Sequence, residues 1–232
     1  MSTVLITGSN GGIGSEICKT FKKKGWSVIG IDIHETSSNP DTTSYYQVNL
    51  FNSDEIKLLM NKLDSLDCLI HCAAYQCCKP IWEYTNEEWD NTYACNVKAV
   101  FLMIKYGIDT MKKSKTNIIN IASIHAVATS KHIASYASSK AALVGFTKNA
   151  AIDLAPFGIR VNSISPGAID TQMLRSHLSE QRLQNLKEKH LLKNIGSPVD
   201  IANTCLFINN NTFLNGNNIV IDGGILAQLS SE

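Results

Sequence analysis

The chain has 232 residues, 44% hydrophobic and 18% charged, with 21 Lys and Arg against 20 Asp and Glu and a net charge of +1. At roughly 150 residues per domain, that allows one large domain or two small ones with a sizeable core. Proteins that grip nucleic-acid phosphates or anionic membranes carry a basic excess, which is missing here, and the apolar content at low net charge excludes disorder. The longest stretch without Asp, Glu, Lys or Arg, residues 201–221, is loaded with Asn and does not read as a membrane span. No basic region or cleavage site precedes Thr3-Val4-Leu5-Ile6-Thr7, so no signal peptide is expected. Seven cysteines, an odd number, read as reduced thiols, and the expectation is a cytoplasmic protein without a disulfide framework.

Along the chain, residues 3–7, 27–31, 68–71, 117–122, 160–164 and 218–221 are short apolar runs rich in Ile and Val. They are continuous rather than alternating, as are the strands of a parallel sheet covered on both faces. Between them, 12–24, 54–63, 86–113, 134–154 and 198–208 have helical character. Gly25, after three lysines, fits a left-handed position behind a basic last turn, so those lysines are a solvated helix end. Thr85 with Glu88 spells a capping box, and Ser197-Pro198 with Asp200 joins an N-cap to proline at the first helical position. No repeat, linker or composition break divides the chain. The alternation predicts one doubly wound α/β domain over residues 1–232, a parallel sheet with helices on both faces.

Directly after the first strand comes Thr7-Gly8-Ser9-Asn10-Gly11-Gly12-Ile13-Gly14, opening a helix. Gly8 permits a tight turn, Gly12 and Gly14 leave room for a pyrophosphate and for close packing, and the amides of the helix N-terminus attract the phosphate charge. A glycine-rich turn alone is a weak signal; its place between a strand and a helix strengthens it. Asp32 ends the second strand, 18 residues beyond Gly14, where a carboxylate hydrogen-bonds the adenosine ribose of a dinucleotide. The same charge repels a 2′-phosphate, and neither Ser9, Asn10 nor Ile33 supplies a cation to hold one. The expected cofactor is NAD rather than NADP.

Tyr136 and Lys140 stand four apart in a helical stretch, which places phenol and ammonium on one face. An ammonium favours the phenolate, so Lys140 is expected to lower the Tyr136 pKa from its usual value near ~10 and make it a general acid/base. Ser123 ends the preceding strand, 13 residues before Tyr136, and reaches the substrate oxygen from the other side. A second Tyr-x3-Lys, Tyr75 to Lys79, runs into Pro80 and has Lys62 at the corresponding upstream position, so it fails both tests.

These pieces, with Asn96, Pro166-Gly167 and Thr171, and Ile221-Asp222-Gly223-Gly224, resemble the short-chain dehydrogenase/reductase family over nearly the whole chain. The resemblance implies a Rossmann-type domain and an NAD-dependent oxidoreductase acting on a secondary alcohol or ketone. It implies that Tyr136 is the proton donor/acceptor and Ser123 orients the reacting oxygen. Lys140 would hold the nicotinamide ribose, and Asn96 would anchor a water in the proton relay. Around the cofactor it places Gly8, Asn10, Gly12, Ile13, Gly14, Asn49, Leu50, Cys72, Ala73, Pro166 and Gly167, with the Ile169 backbone and Thr171 at the carboxamide. It further implies a homotetramer, or else a dimer, built on the helices around 89–111 and 134–154.

Three departures stand out. Asn49 replaces the usual Asp at the adenine; His71-Cys72-Ala73-Ala74 replaces Asn-Asn-Ala-Gly, with Ala74 giving up the freedom of glycine; and the substrate lid, about 168–196, is short. His71, Cys72, Cys77 and Cys78 lack the spacing of a zinc site, so no metal is expected. His125 lies two residues beyond Ser123 and, on a continuing strand, points the same way, toward the cleft. It reads equally as a wall residue or a substrate contact; Gln76, Met173 and Leu174 are further lid or cleft residues. Rival readings are a 3-oxoacyl reductase or 3-hydroxy acid dehydrogenase of the same family, or a non-catalytic NAD-sensing protein. The intact Asn96, Ser123, Tyr136 and Lys140 set argues against the last.

Overall fold

A computed structural model describes residues 1–176 and 179–228. Of the expected lid, 177 and 178 lie outside the described residues, as do 229–232 of the expected domain. The strands are β1 (Thr3–Thr7), β2 (Ser27–Asp32), β3 (Ser44–Gln47), β4 (Cys68–His71), β5 (Asn117–Ile121), β6 (Arg160–Pro166) and β7 (Asn218–Ile221). They form one sheet in the order β3-β2-β1-β4-β5-β6-β7, every pair parallel. The order reverses between β1 and β4, and the crevice beyond the carboxyl ends of these two strands is where open parallel sheets bind ligands.

The apolar runs are continuous because each strand is packed twice. Leu5, Leu69, Ile118 and Val161 face one way, onto α2 (Ser53–Met60), α4 (Ala99–Ser114) and α5 (Ala134–Leu154). Val4, Ile6, Cys68, Ile70 and Ile119 face the other way, onto α1 (Gly12–Lys23) and α8 (Pro198–Asn210). Each such side chain contributes about 1.5–3 kcal/mol on burial. Helix ends follow the expected chemistry. Gly25 has φ +80°, Thr85 and Glu88 close their capping box, and Ser197 with Asp200 closes another.

The structure departs from expectation in three places. β3 is an additional strand, a polar edge whose Ser-Tyr-Tyr-Gln carries neither an apolar run nor a clean alternation. The helix expected over 86–113 is divided into α3 (Asn86–Tyr93) and α4 by a π-helical turn, Ala94–Lys98. Such a turn takes in an extra residue with helix directly on both sides, and it is a frequent mark of a functional site. The lid contains two short helices, α6 (Gln172–Ser176) and α7 (Glu180–Lys189), and its stem is tied shut where Ile169 bridges Gly196.

Phe21 is fully buried between α1 and the sheet, with Trp26 edge-on at 5.1 Å. Phe21→Ala removes the largest wedge on that face and should cost about 3–5 kcal/mol, measured as a fall in the denaturation midpoint with the slope unchanged.

Candidate active site

The first turn is built on Thr7. Its hydroxyl oxygen accepts the backbone N–H groups of Cys72 and Ala73, both at 2.9 Å, so its own hydrogen points to His71 Nδ1 at 3.1 Å. That bond leaves the ring proton of His71 on Nε2. Gly8 has φ +68° and lies so close to β4 that a Cβ there would sit 2.9 Å from Ala73 Cα. This is how the turn brings Cys72 and Ala73 to the glycine-rich segment. No side chain caps the start of α1 and no acid lies in its first turn, so the amides around Gly12, Ile13 and Gly14 are suited to an anion. Thr171, on the lid stem, packs against Gly12. Ala74 is absent from the residues with positive φ, so this backbone needs no glycine there.

Asp32 stands at the end of β2 with its carboxylate aimed at the glycine-rich turn, where Oδ2 accepts Asn10 N–H at 3.0 Å. Asn49 is committed locally: its N–H donates to Glu55 and its side-chain oxygen accepts from Phe51. With Ile33, Gln47 and Glu55 it lines a recess of about 420 Å³ beside Asp32; Leu50 packs behind, against the core. Uncapped amides, a carboxylate and a recess follow one another along the sheet edge, and these groups fit the diphosphate, ribose and adenine of a dinucleotide.

The catalytic candidates converge on the other side of the crevice. Ser123 is buried just past β5, where its hydroxyl accepts the His125 N–H at 3.2 Å, and it neighbours the half-buried Tyr136 phenol on α5. Lys140, fully buried one turn further along, donates to the Ile121 carbonyl at 2.7 Å and lies 5.5 Å from the centre of the Tyr136 ring. Pro166 ends β6, Gly167 follows it, and Ile169 is buried just beyond.

The electrostatics differ from expectation. Burial pushes the Tyr136 phenol up to about 12, with the Ser123 hydrogen bond acting against it. Lys140, its ammonium donated to the Ile121 carbonyl, is itself drawn down to about 8 by burial. The protein alone therefore holds Tyr136 as the neutral acid. Asn96, in the π-helical turn, is held on both sides: its side chain accepts from Tyr75 N at 2.8 Å and donates to the Tyr75 carbonyl and to Ser139. It clamps the loop after β4 to α5. Thr7, which opens the glycine-rich motif, and Tyr75 and Ser139, which no local motif marks, thus join the site as positioning groups.

Of the cleft residues, His125 does reach the phenol, with ring centres 6.2 Å apart and edge-on. The route is not the expected one, since β5 stops at Ile121 and a 3₁₀ turn, Ile124–Ala126, carries the ring there. Gln76 donates to Cys78 Sγ, Met173 is exposed on α6, and Leu174 is half-buried with its N–H on Thr171. Bidentate pairing of Arg175 with Asp170, at 2.6 and 2.7 Å, fixes α6 to the stem.

Burial, then the Lys140 charge, holds His71 down to about 3 from the ordinary 6.5. The folded state keeps this imidazole neutral while the unfolded chain protonates below 6.5, so stability falls as pH drops from 6.5 toward 3. His71→Asn should flatten that acid limb, read as denaturation midpoint against pH; identical limbs would place the acid sensitivity elsewhere.

Comparison with known proteins extends these observations. The family model described as enoyl-(acyl carrier protein) reductase matches residues 8–226. Cyclopentanol dehydrogenase of Comamonas sp. (strain NCIMB 9872) is 32% identical over 241 aligned residues, covering 97% of this chain and 96% of that protein. Among solved structures, 4-hydroxyisoleucine dehydrogenase complexed with NADH superposes with a TM-score of 0.91 at 31% identity, over 99% of this chain and 100% of the other. ElxO with NADP bound gives 0.89 at 26% identity, over 98% and 99%. With the glycine-rich turn, Ser123, Tyr136 and Lys140 gathered at one switch point, and likeness over almost its full length, the chain belongs to the short-chain dehydrogenase/reductase family of oxidoreductases.

Proposed function

We propose that the protein is an NAD-dependent dehydrogenase that interconverts a small secondary alcohol and its ketone. The observation that carries this reading is the meeting of Ser123 and Tyr136 hydroxyls beside buried Lys140, across the crevice from uncapped amides and Asp32. When bound, the nicotinamide supplies or accepts the hydride. The chain's own groups handle the oxygen and its proton. In ketone reduction Ser123 donates a hydrogen bond to the carbonyl oxygen, and the neutral Tyr136 phenol delivers a proton to that oxygen as charge develops. Lys140, anchored on Ile121, holds the ribose and stands ready to reprotonate Tyr136. Asn96 keeps the loop after β4 in register with α5, and Gln76, His125, Met173 and Leu174 face the substrate.

Preference for NAD over NADP rests on Asp32, whose charge opposes a 2′-phosphate; a relative solved with NADH and another with NADP leave both chemistries within the family. The dehydrogenase named for cyclopentanol supports a compact secondary alcohol. Free thiols at all seven cysteines support a reducing, cytoplasmic setting. Exposed Phe101 on α4 and Ile152 on α5 support burial of these helices in a homotetramer.

NADH formation should appear with some member of a panel of secondary alcohols. Tyr136→Phe should lower turnover by about 10²–10⁴-fold while the NADH dissociation constant stays within about twofold of wild type. Tight NADH binding with no turnover on any alcohol or ketone would instead support the NAD-sensing role.

A further inference from the structure

Asp32 has three hydrogen-bond donors, and they are unequal. Asn10 N–H at 3.0 Å and Ile33 N–H at 2.8 Å are backbone groups held by the fold. The third is the imidazole of His34, whose Nδ1 lies 2.7 Å from Asp32 Oδ1 while most of the ring is open to solvent, at 71% exposure against 9% for the carboxylate. To Ser9, Asn10 and Ile33, none of which offers a cation, the fold adds an imidazole beside Asp32.

The ring is kept there by its surroundings. Tyr45 on β3 donates its hydroxyl to the His34 carbonyl, and Asn10 ties the segment further on, donating to the Thr36 carbonyl and accepting from Ser38 N–H. The groups facing His34 are thus Asp32 from β2, Tyr45 from β3 and Asn10 from the glycine-rich turn, with Glu35 next in the chain. Burial and the Asp32 charge raise the Tyr45 phenol, so it stays neutral. Asp32 is the one charged group in contact with the ring among the described residues.

We propose that His34 and Asp32 act together as a pH-sensitive selector at the adenosine 2′ position, so that the preference for NADH over NADPH weakens as the solution turns acid. This rests on the reading of Asp32 as the ribose carboxylate. With a neutral imidazole the pair carries one negative charge, which accepts the ribose hydroxyl and repels a 2′-phosphate. A protonated imidazole brings the pair to zero and offers an N⁺–H donor to the phosphate, while its hold on Oδ1 competes with the ribose hydroxyl. Both effects move the same way: NADPH gains and NADH loses. Because the imidazole is the one donor on a rotatable side chain, it is also the one that swings aside for the sugar.

The test is the ratio of the NADPH to the NADH dissociation constant, measured by nucleotide fluorescence at pH 6 and pH 8. The 2′-phosphate itself gains a proton near ~6, so the comparison is between proteins. In wild type the ratio should fall about two- to fivefold more from pH 8 to pH 6 than in His34→Gln, the size expected of one partly exposed ion pair. His34→Lys, with a fixed charge, should show a low ratio at both values. Superimposable ratios in wild type and His34→Gln, with NADH still bound, would overturn the selector alone. Failure of wild type to bind NADH at either pH would overturn the cofactor reading and the selector with it.

Discussion

The hydroxyl of Thr7 is the joint on which the crevice depends. It accepts two amides from the segment after β4 and donates to the imidazole at the end of that strand, so three hydrogen bonds fix two neighbouring strand ends at the switch point. The glycine-rich turn leaves β1 from this joint, and the wall of the substrate cleft leaves β4 from it. The position of Gly8 against Ala73 follows, because no larger residue lets the two backbones approach so closely. Through the next clamp, Asn96 on Tyr75 and Ser139, the same wall is held to the helix that carries Tyr136 and Lys140.

The site is held at an electrostatic cost. Lys140 and His71 are both fully buried, and burial moves each away from its charged form. Tyr136 is pushed toward its neutral form by the same cause. A sheet packed on both faces supplies this low-dielectric setting, and the large apolar core offsets the penalty of keeping polar groups beneath the crevice. The resulting protonation states suit a proton donor, which is the role that ketone reduction asks of the phenol.

Much of the fold was legible because its signals are local. A continuous Ile and Val run says that a strand is buried on both faces, and capping boxes fall within four residues. The glycine-rich turn, Asp32 and the Tyr136–Lys140 pair are likewise short-range patterns. β3 escaped because an edge strand buries little and needs no apolar run. The π-helical turn escaped because helix continues directly on both sides of it and no glycine or proline marks it. His34 lay two residues from Asp32 in plain view, yet only the bend of the chain after β2 turns its ring back onto the carboxylate.

The amino-acid sequence by itself determined the alternation of strands and helices, and it singled out the candidate reacting side chains and the acid proposed for the ribose position. These depend on residue type and on spacing within a helix turn or a strand. Only the tertiary structure decided the protonation of Tyr136, the engagement of Asn96 with Tyr75 and Ser139, and the pairing of His34 with Asp32. The partners of Asn96 lie 21 and 43 residues away, and pKa values follow burial rather than neighbours in sequence. Desolvation and long-range hydrogen bonds exist only once the sheet is packed, which is why the reagents could be read from the chain and their charge states could not.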